Sequence, residues 1–108
     1  MNLFVELFKE FGYSVEPFGD SYIADNGIFC VPFTEYGDKE YPLVSAVSFL
    51  SCDKEDIKKR YNGVNRIGFK VFSDWMNNSL DFLRFGGIGN HDHSLGEIRS
   101  VLERYKRS

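Results

Sequence analysis

The sequence contains no apolar run near the ~18 residues that a membrane-spanning helix requires, so no membrane role is expected of it. Basic charge is also short: 13 Lys and Arg stand against 16 Asp and Glu, a net charge of −3. A nucleic-acid interface draws on a basic excess, and its lack argues against a nucleic-acid partner. Cysteine is nearly absent. Cys30 and Cys52 have no C-x-x-C spacing. They suit two half-buried thiols at strand positions in a reducing compartment, with no disulfide expected. The start, "MNLFVELFKEF", lacks the basic stretch and small-residue cleavage site of a signal peptide. A cytoplasmic location is the resulting expectation.

Aromatic side chains are abundant. They make up 17% of the 108 residues, with 11 Phe, and hydrophobic residues reach 43%. That is enough to build a core and to exclude disorder. It also leaves aromatic surface for a groove or an interface. The length fits one domain over residues 1–108.

Leu3, Phe4, Leu7, Phe8 and Phe11 recur at helical spacing, with Asn2 as a cap and Gly12 as a stop. "YSVEPF" reads as a brief extended segment closed by Pro17. Asn26-Gly27 stands between two β-rich runs, "SYIAD" and "IFCVPF", and signals a hairpin. "TEYGDKEY" is a polar turn, and "PLVSAVSFL" is dense enough in apolar residues for a central strand. The first half is thus a helix followed by a three-stranded antiparallel meander. Asp53 can then cap a middle helix carrying Ile57, Tyr61 and Val64 on one face, ended by Gly68. "FKVFSD" and "SLDFLRF" alternate and predict a second hairpin across "WMNNS". Ser94 and Glu97 form a capping box ahead of a last helix running to about Tyr105. Arg99, Arg104, Lys106 and Arg107 are favourable charges toward its C-terminal end. The class is α+β. A single antiparallel sheet of five strands is expected, with helices on one face or at the edges and the other face left for solvent or a partner.

This order resembles that of the type III secretion chaperone-like fold and of the YbjN-like family that shares it. The resemblance is carried by "VNRIGFKVFSD", "SLDFLRFGGIG" and "SLGEIRSVLERY" in the second half. The opening "LFVELFKEFGYSVE" is compatible with it. The resemblance implies a protein-binding module without chemistry of its own.

The residues themselves offer little catalysis. Gly87-Ile88-Gly89 starts a G-x-G, but Asp92 stands where a dinucleotide fingerprint needs Gly or Ala, and the strand before it belongs to a hairpin. Gly86, Gly87 and Gly89 read instead as the connection into the last helix. His91 and His93 could converge on one ion beside Asp92, but a zinc site needs three or four protein ligands. Two exposed loop histidines are the expectation. Glu16, Asp25 and Asp38-Lys39-Glu40 suggest a nuclease-like cluster, yet Asp is common in turns for local hydrogen-bonding reasons. Cys30 lies in a strand with nothing to activate it. No catalytic residue, metal or cofactor is expected.

The function anticipated is therefore binding, through a sheet face or a sheet edge, to a protein partner of basic character. Candidate contacts are Trp75, Phe72, Tyr36, Tyr41 and Phe33, with Trp75 and Tyr36 at hairpin tips. The acidic residues Asp38, Glu40, Asp53, Glu55 and Asp56 would meet the partner's charge. A chaperone or regulator, a toxin-immunity protein and a phage-encoded inhibitor all fit. A metal-dependent enzyme is the outlying alternative. Monomer and homodimer both remain open.

Overall fold

A computed structural model describes residues 2–45, 47–62, 67–77, 85–87 and 92–104. Helix α1 (Leu3–Glu10) opens the chain. Asn2 occupies its N-cap position, but its side chain donates to the Tyr22 hydroxyl (2.8 Å) rather than capping the helix. The C-terminal end is closed by the two backbone bonds of a Schellman motif: Gly12 N–H to Lys9 C=O (3.0 Å) and Tyr13 N–H to Phe8 C=O (3.1 Å). Gly12 has φ 89°, which any side chain would resist. The Phe8 and Tyr13 rings meet edge-on at 5.2 Å across the same motif.

Strands β1 (Ser14–Phe18), β2 (Ser21–Asp25) and β3 (Cys30–Phe33) form an antiparallel meander. The β2–β3 hairpin forms where expected, with its tip shifted by one residue. Asn26 N–H bonds to Phe29 C=O (3.2 Å), so Gly27 and Ile28 make the tip, and Gly27 takes φ 88°. The Asn26 side chain accepts from Ile28 and Phe29 N–H (2.9 and 2.7 Å).

The run "PLVSAVSFL" is not one strand. It divides into β5 (Pro42–Ser45) and β6 (Ser48–Leu50), which join different sheets. With β4 (Glu35–Gly37), β7 (Phe85–Gly87) and β8 (Asp92–Ser94), the orders are β1-β2-β3-β6-β7 and β4-β5-β8. Every pairing is antiparallel. The α+β class and the meander are as expected, but there are two sheets where one was expected. Gly86 and Gly87, expected as a connection, pair with Phe49 and Ser48 inside β7.

The first strand of the second predicted hairpin is corrected as well, while its expected partner "SLDFLRF" lies outside the described residues except for Phe85. Residues Ile67–Met76 form helix α3, separate from α2 (Lys54–Arg60), and Gly68 lies within it. Phe69 and Val71 alternate, but six residues are too few to fix a period. Ile67, Val71, Phe72 and Trp75 recur at helical spacing over nine positions, and all four are buried while Phe69 faces out. Gly68 costs the helix about 1 kcal/mol relative to Ala. Burying each of the four apolar side chains returns about 1.5–3 kcal/mol.

Both faces of the five-stranded sheet are covered, which overturns the expectation of one open face. On one side Ala24, Val31, Phe33 and Phe49 pack with Phe4 and Phe8 of α1 and with Ile98, Val101 and Leu102 of the last helix, α4 (Leu95–Arg104). On the other side Ile23, Cys30 and Leu50 pack with Ile57 and Tyr61 and with Ile67 and Val71 of α3. Glu16 ties β1 to α2 through Lys58 (2.9 Å) and Lys54 (3.1 Å), which hold its carboxyl below the usual range.

The capping box forms as read. Glu97 N–H donates to Ser94 Oγ (3.3 Å), and Ser94 N–H donates to Glu97 Oε1 (3.4 Å). Ser94→Ala is expected to lower stability by ~1 kcal/mol, measured by chemical denaturation; an unchanged midpoint would show that the cap contributes nothing. Trp75 is 3% exposed and meets Phe72 at 5.4 Å. Trp75→Ala is expected to cost ~3 kcal/mol or more in the same measurement.

Candidate functional site

Of the five aromatic contacts expected from the sequence, three are interior. Phe33 is fully buried, and Phe72 and Trp75 are 6% and 3% exposed. Trp75 lies in a helix and not at a hairpin tip, so neither it nor Phe72 offers an exposed ring. Tyr36 and Tyr41 remain at the surface, and Tyr41 is 73% exposed.

These two tyrosines flank the β4–β5 turn, and Tyr36 lines a groove of about 840 Å³. One wall is the whole of β4, Glu35, Tyr36 and Gly37, continued by Asp38 and Lys39. The opposite wall is the start of α1, Asn2 and Leu3, with Asp20 from the turn before β2 and Tyr22 from β2 itself. Phe33 has a supporting role here. It stacks between Phe8 (4.9 Å) and Tyr22 (5.6 Å), which sets the Tyr22 ring so that its hydroxyl reaches Asn2. A buried hydroxyl pair, Ser21 Oγ and Thr34 Oγ1 at 2.7 Å, ties the two walls together at the groove's end. Ile67 N–H donates to the same Ser21 Oγ (3.0 Å).

The turn that carries Tyr41 is built locally. Gly37 has φ 90°, and a Cβ there would collide with the Tyr41 carbonyl oxygen, so only glycine fits. Asp38 Oδ1 accepts from Glu40 N–H (3.0 Å) and Tyr41 N–H (2.8 Å). These bonds hold Tyr41 on the outside of the turn.

Glu35 is the unusual member of the groove. Burial pushes its carboxyl pKa up from 4.5, against the opposing pull of the Leu3, Phe4 and Val5 N–H groups in the first turn of α1. Its Oε1 is buried with no hydrogen-bond partner among the described residues. Its carboxyl serves the start of α1, where the N-cap residue Asn2 makes no side-chain cap bond. The sequence reading missed Glu35, Tyr22 and Asp20. The signal available was a lone acid in the apolar run "CVPFTEYG".

The other candidates do not assemble. His93 is not an exposed loop residue: it is 1% exposed in β8, with Nδ1 3.1 Å from Glu97 Oε2. His91 and Gly89 lie outside the described residues. Among the described residues no group of three His, Cys, Asp or Glu could hold a metal. Glu16 is paired with lysines, Asp25 Oδ1 accepts from Gly27 N–H (2.8 Å), and Asp38 closes its own turn. Cys30 and Cys52 are free thiols, and burial pushes the Cys30 thiol up to about 12, which suppresses the nucleophilic thiolate.

The chain matches no protein-family model, no curated protein and no solved structure.

Because the folded-state pKa of Glu35 is raised, the protonated form favours folding. That stability is fully present below the unfolded pKa and is lost as pH rises through the folded value. Glu35→Gln removes the titration. Thermal melts at pH 4 and pH 7 are expected to show the stability of the variant relative to the native chain rising with pH, because the other carboxyls titrate alike in both proteins. Parallel pH profiles would mean that Glu35 is not desolvated in solution.

Proposed function

We infer that this chain is a small non-catalytic protein-binding module that docks a partner protein at the groove beside β4. One observation carries the reading: Tyr41 is 73% exposed next to a groove lined by Tyr36 and Tyr22, while the chain's own helices cover both faces of the larger sheet. An exposed aromatic beside a concave wall is the usual composition of a binding hot spot. The order of elements adds the likeness to secretion-chaperone-like proteins. That likeness is the weaker support, since α3 occupies the stretch that it matches to a strand.

The lining suits a basic partner. Asp20 and Asp38 stand against Lys39. The same charge balance favours a second reading, a toxin-immunity or inhibitor protein that neutralises a basic target. A partner whose own activity is abolished on binding would select that reading. A partner kept unfolded or export-competent would select the chaperone.

Tyr41→Ala and Tyr36→Ala are each expected to weaken partner binding by ~2 kcal/mol or more. Tyr41→Ala should leave the melting temperature unchanged, because that ring is outside the core. The measurement is calorimetry with the purified partner, first captured from the native host on the unaltered chain. Equal affinities for all three proteins would sink the groove as the docking surface.

A further inference from the structure

We propose that the edge of β4 takes an extended, lysine- or arginine-bearing segment of the partner protein as an added strand. The proposal rests on the docking reading above and names its occupant.

The argument starts from backbone parity. Strands β3 and β4 are almost one strand, separated only by Thr34. On one side β3 pairs with β2, and the Asn26–Phe29 bond (3.2 Å) fixes which pairs are hydrogen-bonded. Alternation makes Ala24–Val31 and Tyr22–Phe33 the next such pairs. The odd-numbered residues of β3 therefore face β2. On the other side Ser45 N–H bonds to Thr34 C=O (3.3 Å), so the even-numbered residues face β5. Continuing the alternation, Tyr36 bonds with Leu43, while the N–H and C=O groups of Glu35 and Gly37 point to the side where β2 would lie. Pro42 fits this parity. It sits opposite Gly37 at a pair that is not hydrogen-bonded, where its missing N–H costs nothing.

Strand β2 does not reach that far. It begins at Ser21, after a turn in which Gly19 takes φ 63°. Among the described residues β4 pairs only with β5. The groove occupies the place that β2 vacates, since all three residues of β4 line it and Asp20 and Tyr22 face them. A segment entering there would continue the position of β2.

The chemistry of the occupant follows from the walls. Among the described lining residues Asp20 and Asp38 are exposed acids beside the one base, Lys39, while the Glu35 carboxyl is turned toward the first turn of α1. A second copy of this chain would bring the same acids against them, so self-pairing through β4 is opposed. Edge strands are commonly blunted by Pro or Lys. Strand β1 carries Pro17, and β4 carries neither residue. With two outward-facing residues, β4 supports only a few backbone bonds, so cationic side chains along the groove supply the rest.

The test uses the ¹⁵N-labelled full chain and the probe peptide acetyl-Lys-Val-Lys-Val-Lys-amide at millimolar concentration, followed by amide spectra. Binding should shift the Glu35 and Gly37 amides and slow their exchange with solvent. Two further peptides carry N-methyl groups on one or the other alternate set of amides. Strand addition uses one edge of the peptide, so one methylated peptide should bind about tenfold more weakly and the other should not. The Glu-Val-Glu-Val-Glu analogue should not bind. The absence of any shift, equal binding of both methylated peptides, binding of the acidic analogue, or concentration-dependent dimerisation through β4 would each overturn the proposal. Any of these alongside a native partner still weakened by Tyr41→Ala would leave groove docking standing. A partner indifferent to both tyrosine variants would remove the docking reading itself.

Discussion

Period-two alternation in β2, β3 and β6 sends apolar side chains to both faces of one sheet, and neither face can be left in water. Ala24, Val31 and Phe49 point one way; Ile23, Cys30 and Leu50 point the other. A chain of 108 residues must therefore divide its helices between two faces. Helices α1 and α4 take one, α2 and α3 the other. The rest follows from that division. Trp75 is drawn inward because α3 is needed as a cover. The aromatic surplus is mostly spent on the two cores. What the helices leave uncovered of the sheets is a rim.

Rims are governed by backbone chemistry more than by side-chain burial. A sheet edge keeps its N–H and C=O groups available, and the shape of the neighbouring turns decides whether anything can reach them. The Gly19–Asp20 turn withdraws β2 from β4, and the Gly37 turn folds Tyr41 back and out. Both reversals use glycine at positive φ. The groove is thus a product of two backbone turns, with Phe33 fixing the Tyr22 ring on one of its walls.

The sequence was most readable where a local rule decides the structure. Gly12 ended α1, Ser94 and Glu97 started α4, Asp53 capped α2, and Asn26-Gly27 marked a hairpin to within a residue. It was least readable where distant partners decide. Nothing within "PLVSAVSFL" says that Val44 pairs with His93 while Leu50 pairs with Cys30 and Phe85. The helix of α3 was hidden because its first residues also alternate, and its period emerges only when Trp75 is included. Tyr36 and Tyr41 could be named as surface residues because they sit in a polar, glycine-containing run. The role of Glu35 could not, because desolvation comes from α1, which is remote in sequence.

Strand β8 ends at Ser94 and α4 begins at Leu95, with no linker between them. Glu97 clamps this junction with both carboxylate oxygens, one on Ser94 N–H and one facing His93. Strand β8 is paired to β5, and β5 to β4. The smaller sheet and the last helix are thus joined without slack, and the same helix packs in one core with α1 and the larger sheet. Helix α1 begins on one side of the groove and β4 forms the other. The last helix therefore braces both sides of a groove whose lining includes none of its residues.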